Sequence, residues 1–160
     1  MRLVLADSDA TEALGRALAA TRPPMAVVHL QGDLGAGKST LARALLRELG
    51  VQGPIRSPTY TLVERYPVEG GEAWHLDLYR IGNAGELDFL GLDGGEATLW
   101  LVEWPERGEA ALPVPDLRVR LAQDGMGRQA WLDAGSPAGV DWLVAARETG
   151  RLQALSAERP

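Results

Sequence analysis

The sequence predicts an α/β domain with a mixed central β-sheet flanked by helices, and three observations carry this. Segments of helical periodicity alternate with short, continuously apolar runs of the kind that form buried strands. One such run, "PPMAVVHLQ", passes through a glycine-rich stretch, "GDLGAGKST", straight into a helical pattern. Two further segments read as hairpins, which add antiparallel strands to a sheet that crossovers make parallel.

The elements follow in order. "MRLVLA" is a first strand. "DSDATEALGRALAAT" is an amphipathic helix, with Asp9 and Glu12 at capping-box spacing and Leu14 and Leu18 one turn apart. "PPMAVVHLQ" goes from a breaker into a buried strand. "STLARALLRELG" is a helix over 39–49, with Leu41, Leu45 and Leu49 on one face and Gly50 as its stop. "TYTLVERY", the turn "PVEGGE" and "AWHLDLYR" form a hairpin whose second strand alternates and reads as half-exposed. "NAGELDFLGLDGG" is a short helix and loop, and "ATLWLVEW" a second buried apolar strand. "DLRVRLA" and "RQAWLDA" pair around "QDGMG", and "GVDWLVAARETG" closes as a helix. No repeat, low-complexity tract or linker divides the chain, so residues 1–150 are expected as one domain and 151–160 as a frayed tail.

Composition narrows the function. At 160 residues the chain is long enough for a real core, and 46% apolar with 24% charged residues is a globular, not a disordered, balance. No apolar run approaches the roughly 20 residues of a membrane helix. "MRLVLADSD" lacks the run of about 7–15 apolar residues of a secretory signal, so a cytoplasmic protein is expected. The absence of cysteine removes disulfides, thiolate zinc sites and thiol catalysis together. A net charge of -6 argues against a free-standing nucleic-acid binder, so any service to a nucleic-acid pathway leaves the nucleic acid to something else.

Lys38 is the chain's single lysine; of 16 lysines and arginines, the other 15 are arginine. Gly32 to Ser39 matches G-x-x-x-x-G-K-[ST] in full, between a buried strand and a helix, which is the context of a phosphate-binding P-loop. The glycines let the backbone wrap so that successive N–H groups form an anion nest, and the following helix adds its positive end. Lysine reaches the β- and γ-phosphates as a compact point charge, a geometry that arginine's planar fork does not copy. The fold expectation sharpens to a P-loop NTPase-like domain.

Mg²⁺ keeps several waters and takes few protein ligands, so Ser39 asks for one carboxylate partner. That partner is expected at the end of a buried strand beside the loop's own strand. Glu103, after "LWLV", fits. Asp77 in "HLDLYR" is the rival, its plain alternative being a salt bridge with Arg80. His75 and Asp77, two apart, face one way as metal ligands in one reading, but no third ligand is in view and a separate transition-metal site is not expected. His29 reads as a packed residue.

Several stretches together resemble the TsaE (YjeE) family, the small bacterial ATPase of tRNA threonylcarbamoyladenosine biosynthesis. They are "ATEALG", "GDLGAGKST", "SPTYTLVERY", "HLDLYR", "ELDFLGLD" and "LVEWPERG", in the family's order across roughly residues 10 to 133. The resemblance implies that Thr11 and the loop Asp33, Leu34, Gly35, Ala36, Gly37, Lys38, Ser39 and Thr40 contact ATP, with Ser39 and Glu103 on Mg²⁺. It further implies that Arg128 reaches the nucleotide, that Trp104 lies close to it, and that "SPTYTLVERY" is a switch around the γ-phosphate with Thr59 as sensor. Family members often carry threonine at the Ser39 position; either hydroxyl ligates Mg²⁺. The segment after 134 matches none of these motifs.

The same resemblance implies partners, a TsaB–TsaD-like complex, with ATP turnover resetting it between rounds of adenosine 37 modification. The tRNA is then met only through the partners, which the acidic charge tolerates. Two readings from other classes stand beside it: a small-molecule P-loop kinase, for which no arginine-bearing lid or acceptor pocket is evident, and a nucleotide-sensing scaffold without turnover. A GTPase is disfavoured because no N-K-x-D signature follows.

Overall fold

The computed structural model describes residues 1–94 and 96–156. The chain runs β1 (Arg2–Leu5), α1 (Ser8–Ala20), β2 (Ala26–Gln31), α2 (Lys38–Glu48), β3 (Val63–Val68), β4 (Gly71–Asp77), β5 (Ala97–Glu103), β6 (Leu117–Asp124), β7 (Gly127–Ala134), α3 (Pro137–Glu148) and α4 (Arg151–Ser156). Short 3-10 turns fill Ala84–Leu90, Leu92–Gly94, Pro105–Arg107 and Glu109–Ala111.

The strands form one mixed sheet in the order β1-β7-β6-β2-β5-β4-β3. Its centre is parallel, β2 pairing with β5 and β6 and β4 with β5, because helices and loops carry those crossovers. Its margins are antiparallel: β3 folds back on β4, β7 on β6, and β1 closes against β7. Strand alternation sorts the core to two faces. Ala73 of β4, Leu99 and Leu101 of β5 and the apolar residues of β2, β6 and β7 join α1 and α2 in the larger cluster. Trp74, Leu76 and Val102 point the other way and pack with Leu78, Ile81 and Leu87.

Helices α1 and α2 cross closely because Gly15 has no side chain; a Cβ there would lie 2.6 Å from the Leu41 carbonyl oxygen.

Four sequence expectations change in detail. Asp7, not Asp9, caps α1, its carboxylate accepting the Ala10 N–H at 2.9 Å, and no capping box forms. In "DSD" either aspartate has the right chemistry, and the strand exit decides which one stands one residue before the helix. The short helix expected in "NAGELDFLGLDGG" is of the 3-10 type, over Ala84–Leu90 and Leu92–Gly94. Strand β4 is buried from Ala73 to Asp77, not half-exposed, because it lies inside the sheet, between β5 and β3. Where a frayed tail is expected, Arg151–Ser156 continues as α4 and Leu152 is buried against the core; residues 157–160 lie outside the described part.

A candidate nucleotide site at the P-loop

The loop between β2 and α2 is held open by glycine. Gly32 has φ 142, and a Cβ there would sit 2.3 Å from the Leu121 carbonyl oxygen. Gly37, at φ 108, is the N-cap of α2 and offers no side-chain cap, so the first N–H groups of the helix face the cleft without a side-chain partner. Arg128 on β7 braces the loop from behind. Its Nε donates to the Ala36 carbonyl at 2.8 Å and its Nη2 to the Gly35 carbonyl at 3.3 Å.

Lys38 is 4% exposed, and its Nζ donates to the carbonyls of Gly32 at 2.6 Å and Asp33 at 2.8 Å. It also lies 4.5 Å from the centroid of the Trp104 ring. Burial pulls the ammonium below its ordinary range, and Glu103 first, then Asp77, pull it back. An ammonium desolvated in this way is stabilised by an anion placed beside it, and the nearby carboxylates offset part of that gain by repelling the anion.

Glu103 ends β5 in register with Leu30, beside the loop's own strand, as the sequence suggests. Its carboxylate, 2% exposed as a residue, takes the Ser39 hydroxyl at 2.9 Å on Oε1 and 3.1 Å on Oε2. The two groups are hard oxygen donors held side by side, so the donor set fits Mg²⁺. His75 places its Nε2 2.6 Å from Glu103 Oε2. Asp77 pairs with Glu103 across the β4–β5 register, and one of its oxygens accepts the Tyr79 N–H at 3.0 Å. Thr59 stands 3.5 Å from the other, a long contact, and shares a 2.7 Å hydrogen bond with Ser57.

These elements bring Leu34, Gly35, Gly37, Lys38, Ser39, Thr40, Thr59, Asp77, Glu103, Trp104 and Arg128 around one cleft. Three residues expected on the nucleotide are not in its wall. Thr11 is 1% exposed and bonds to the Asp7 carbonyl, with its methyl placed behind Gly37, because α1 passes under the loop. Ala36 is buried, and Asp33 is exposed and contributes its carbonyl to Lys38. Asp77 makes no ion pair with Arg80 among the described residues; Arg80 lies over the Tyr60 ring. His29, 2% exposed on β2, is packed as expected.

Sequence reasoning treated His75 as a possible ligand and missed its contact with Glu103. The signal was the two-residue spacing to Asp77, which puts both on one face; the parallel register supplies the rest. It also missed the surroundings of Trp104. That residue sits at φ 56 with Tyr79 4.9 Å from its ring centroid, and Arg107 reaches both rings.

A family model for threonylcarbamoyl adenosine biosynthesis protein TsaE matches residues 5–130. The chain belongs to the TsaE family. It is 45% identical over 97 residues to the tRNA threonylcarbamoyladenosine biosynthesis protein TsaE of Haemophilus influenzae, covering 59% of this chain and 61% of that one. It is 42% identical over 113 residues to the TsaE of Synechocystis, covering 67% and 71%. The match thus spans just under two thirds of the Haemophilus relative. The crystal structure of YdiB from Bacillus subtilis superposes with a TM-score of 0.76 at 24% identity, covering 94% of this chain and 95% of that one, and shows a shared fold. TsaE is the family named for threonylcarbamoyladenosine biosynthesis, and its P-loop fold implies nucleotide binding. Helix α3 and helix α4 lie beyond the stretch that the TsaE model matches. Among the described residues no helix is long and apolar enough to cross a membrane.

Proposed function

We propose that this chain binds ATP with Mg²⁺ at the P-loop, hydrolyses it slowly by itself, and works as a nucleotide-driven switch on a TsaB–TsaD-like complex that modifies adenosine 37 of tRNA in the cytoplasm. The observation that carries the reading is the meeting of Ser39 and Glu103 beside Lys38 in one cleft. In this reading Lys38 leaves the Gly32 and Asp33 carbonyls for the β- and γ-phosphates, while the loop N–H groups and the start of α2 hold the remaining oxygens. Ser39 and Glu103 would hold Mg²⁺, which when bound would neutralise charge on the phosphates. Asp77 is placed to orient or accept a proton from the attacking water, and Arg128 and Trp104 contact the nucleotide. Thr11 supports Gly37 from behind.

The switch is assigned to the segment from Ser57 to Tyr66, with Thr59 as its γ-phosphate sensor. Its support is local. Leu62 sits at φ 67, a left-handed conformation that costs a branched-chain residue about 1–2 kcal/mol, and its carbonyl accepts the Asp77 N–H at 3.0 Å. A strained residue tied to the backbone of Asp77, the candidate water-positioning residue, is a suitable hinge. The tRNA is met only through the partners.

Phosphate release from ATP, measured with Mg²⁺ and with chelator, tests the reading. Slow, Mg²⁺-dependent release of inorganic phosphate is expected. Transfer of the phosphoryl group to a supplied small-molecule acceptor would favour a kinase, and ATP binding without any release would favour a sensing scaffold.

A further inference from the structure

His75 is the most buried polar side chain near the cleft and does not line its wall. Its side chain is 1% exposed and that of Glu103 3%, with Nε2 and Oε2 2.6 Å apart. An ionised carboxylate only accepts, so Nε2 is the donor. Nδ1 has no hydrogen-bond partner among the described residues. The ring's hydrogen bonding is therefore spent on Oε2 of Glu103, and the other oxygen, Oε1, is the one nearest to Ser39.

Carboxylate occupancy matters to the choice of cation. Ca²⁺ takes six to eight oxygens in flexible geometry and readily uses both oxygens of one carboxylate; Mg²⁺ is smaller, demands a near-octahedral shell and takes one or two carboxylates sparingly. A ligand's hydrogen-bonded neighbour fixes which atoms it can offer, and losing such a neighbour typically costs about 10–100-fold in metal affinity. We propose that His75 is a positioning and selectivity residue: by donating to Oε2 it occupies one of that oxygen's lone pairs, biases Glu103 towards binding a cation through Oε1 alone, and so makes the site prefer Mg²⁺ to Ca²⁺. The proposal rests on the assignment of Ser39 and Glu103 as the Mg²⁺ ligands.

The test is calorimetric titration of a non-hydrolysable ATP analogue into the full chain with Mg²⁺, with Ca²⁺ and with chelator. The proteins are wild type, His75→Leu, His75→Gln and Glu103→Gln, each checked by thermal unfolding. Wild type should bind the analogue more tightly with Mg²⁺ than with Ca²⁺. His75→Leu, which fills the space without a donor, should reduce the Mg²⁺-to-Ca²⁺ affinity ratio by about tenfold or more and leave metal-free binding unchanged. His75→Gln, whose amide can overlay Nε2, should recover part of the ratio, which a purely structural role would not predict. If His75→Leu does not fold, His75→Asn, whose amide overlays only Nδ1, carries the same expectation. An unchanged ratio in the His75 variants, with metal dependence lost in Glu103→Gln, overturns the selectivity role and leaves the metal site standing. Metal dependence intact in Glu103→Gln overturns the metal site and the selectivity role with it.

Discussion

Ser39 Oγ lies 2.9 Å from Glu103 Oε1, so the second residue of α2 meets the last residue of β5 across 64 positions of sequence. The pairing exists because β5 runs parallel to β2 and ends level with the start of the loop. Glu103→Gln keeps the shape and removes the charge. Mg²⁺-dependent ATP turnover should fall by about a hundredfold or more, since metal stabilisation of transferring phosphate is worth several kcal/mol. Asp77→Asn should bind Mg²⁺ and nucleotide normally and turn over about 10²–10⁴-fold more slowly, the usual cost of losing a general base. Mg²⁺ titrations of both variants check this, and exchanged phenotypes would mean exchanged roles.

Lys38 donates to two loop carbonyls and stacks on Trp104, three contacts made by one compact ammonium. Lys38→Ala should weaken ATP binding by about tenfold or more, the value of charge-assisted hydrogen bonds. Lys38→Arg should restore little, because a planar fork does not fit between Gly32 and Trp104. Nucleotide titration and phosphate release read both, and near-normal hydrolysis in Lys38→Arg contradicts the point-charge account.

The P-loop, its flanking strand and helix, and Glu103 were legible because each has a local signature: a fixed glycine spacing, a continuous apolar run, an acid directly after it. The cap of α1 was not, because Asp7 and Asp9 are chemically equal and only the turn out of β1 separates them. The burial of β4 was missed for a better reason. The alternation reads as a half-exposed strand, yet His75 is polar against Glu103 and Asp77 against the cleft. A polar residue in a buried strand is a site signal that periodicity alone records as solvent. The placement of Thr11 behind Gly37 follows from the α1–α2 crossing, which has no marker in the sequence beyond Gly15.

Gly15→Ala tests that crossing. The added methyl would lie 2.6 Å from the Leu41 carbonyl oxygen and 3.0 Å from the Ala44 Cβ. Overpacking costs about 1–3 kcal/mol, and the gain in helix propensity of about 1 kcal/mol offsets only part of it. Thermal unfolding should show Tm lowered by several degrees, and an unchanged or raised Tm would show that the helices separate freely.

His29 gives a pH signature in stability. Burial first, and Arg118 second, lower its pKa from the ordinary 6.5, with Glu109 and the Pro113 carbonyl opposing. The unfolded chain therefore takes up a proton near pH 6.5 that the folded chain refuses, and stability falls as pH drops below that value towards the lowered folded pKa. His29→Leu removes this contribution. Urea midpoints followed from neutral pH down to about 5 should fall less steeply in the variant than in the wild type. Parallel profiles would show that His29 is not held neutral.

The switch claim is tested most directly by the affinity of this chain for a reconstituted TsaB–TsaD-like complex, measured with ATP, with ADP and without nucleotide. Linkage requires that, if partner binding and the ATP-bound state favour the same arrangement of residues 57–66, ATP tightens the complex by the same factor as the complex tightens ATP. The account predicts tightest association with ATP, by about 5- to 150-fold over the nucleotide-free protein, and ATP turnover that changes on assembly. Equal affinity in all three states, together with fast turnover by the isolated chain, would contradict it.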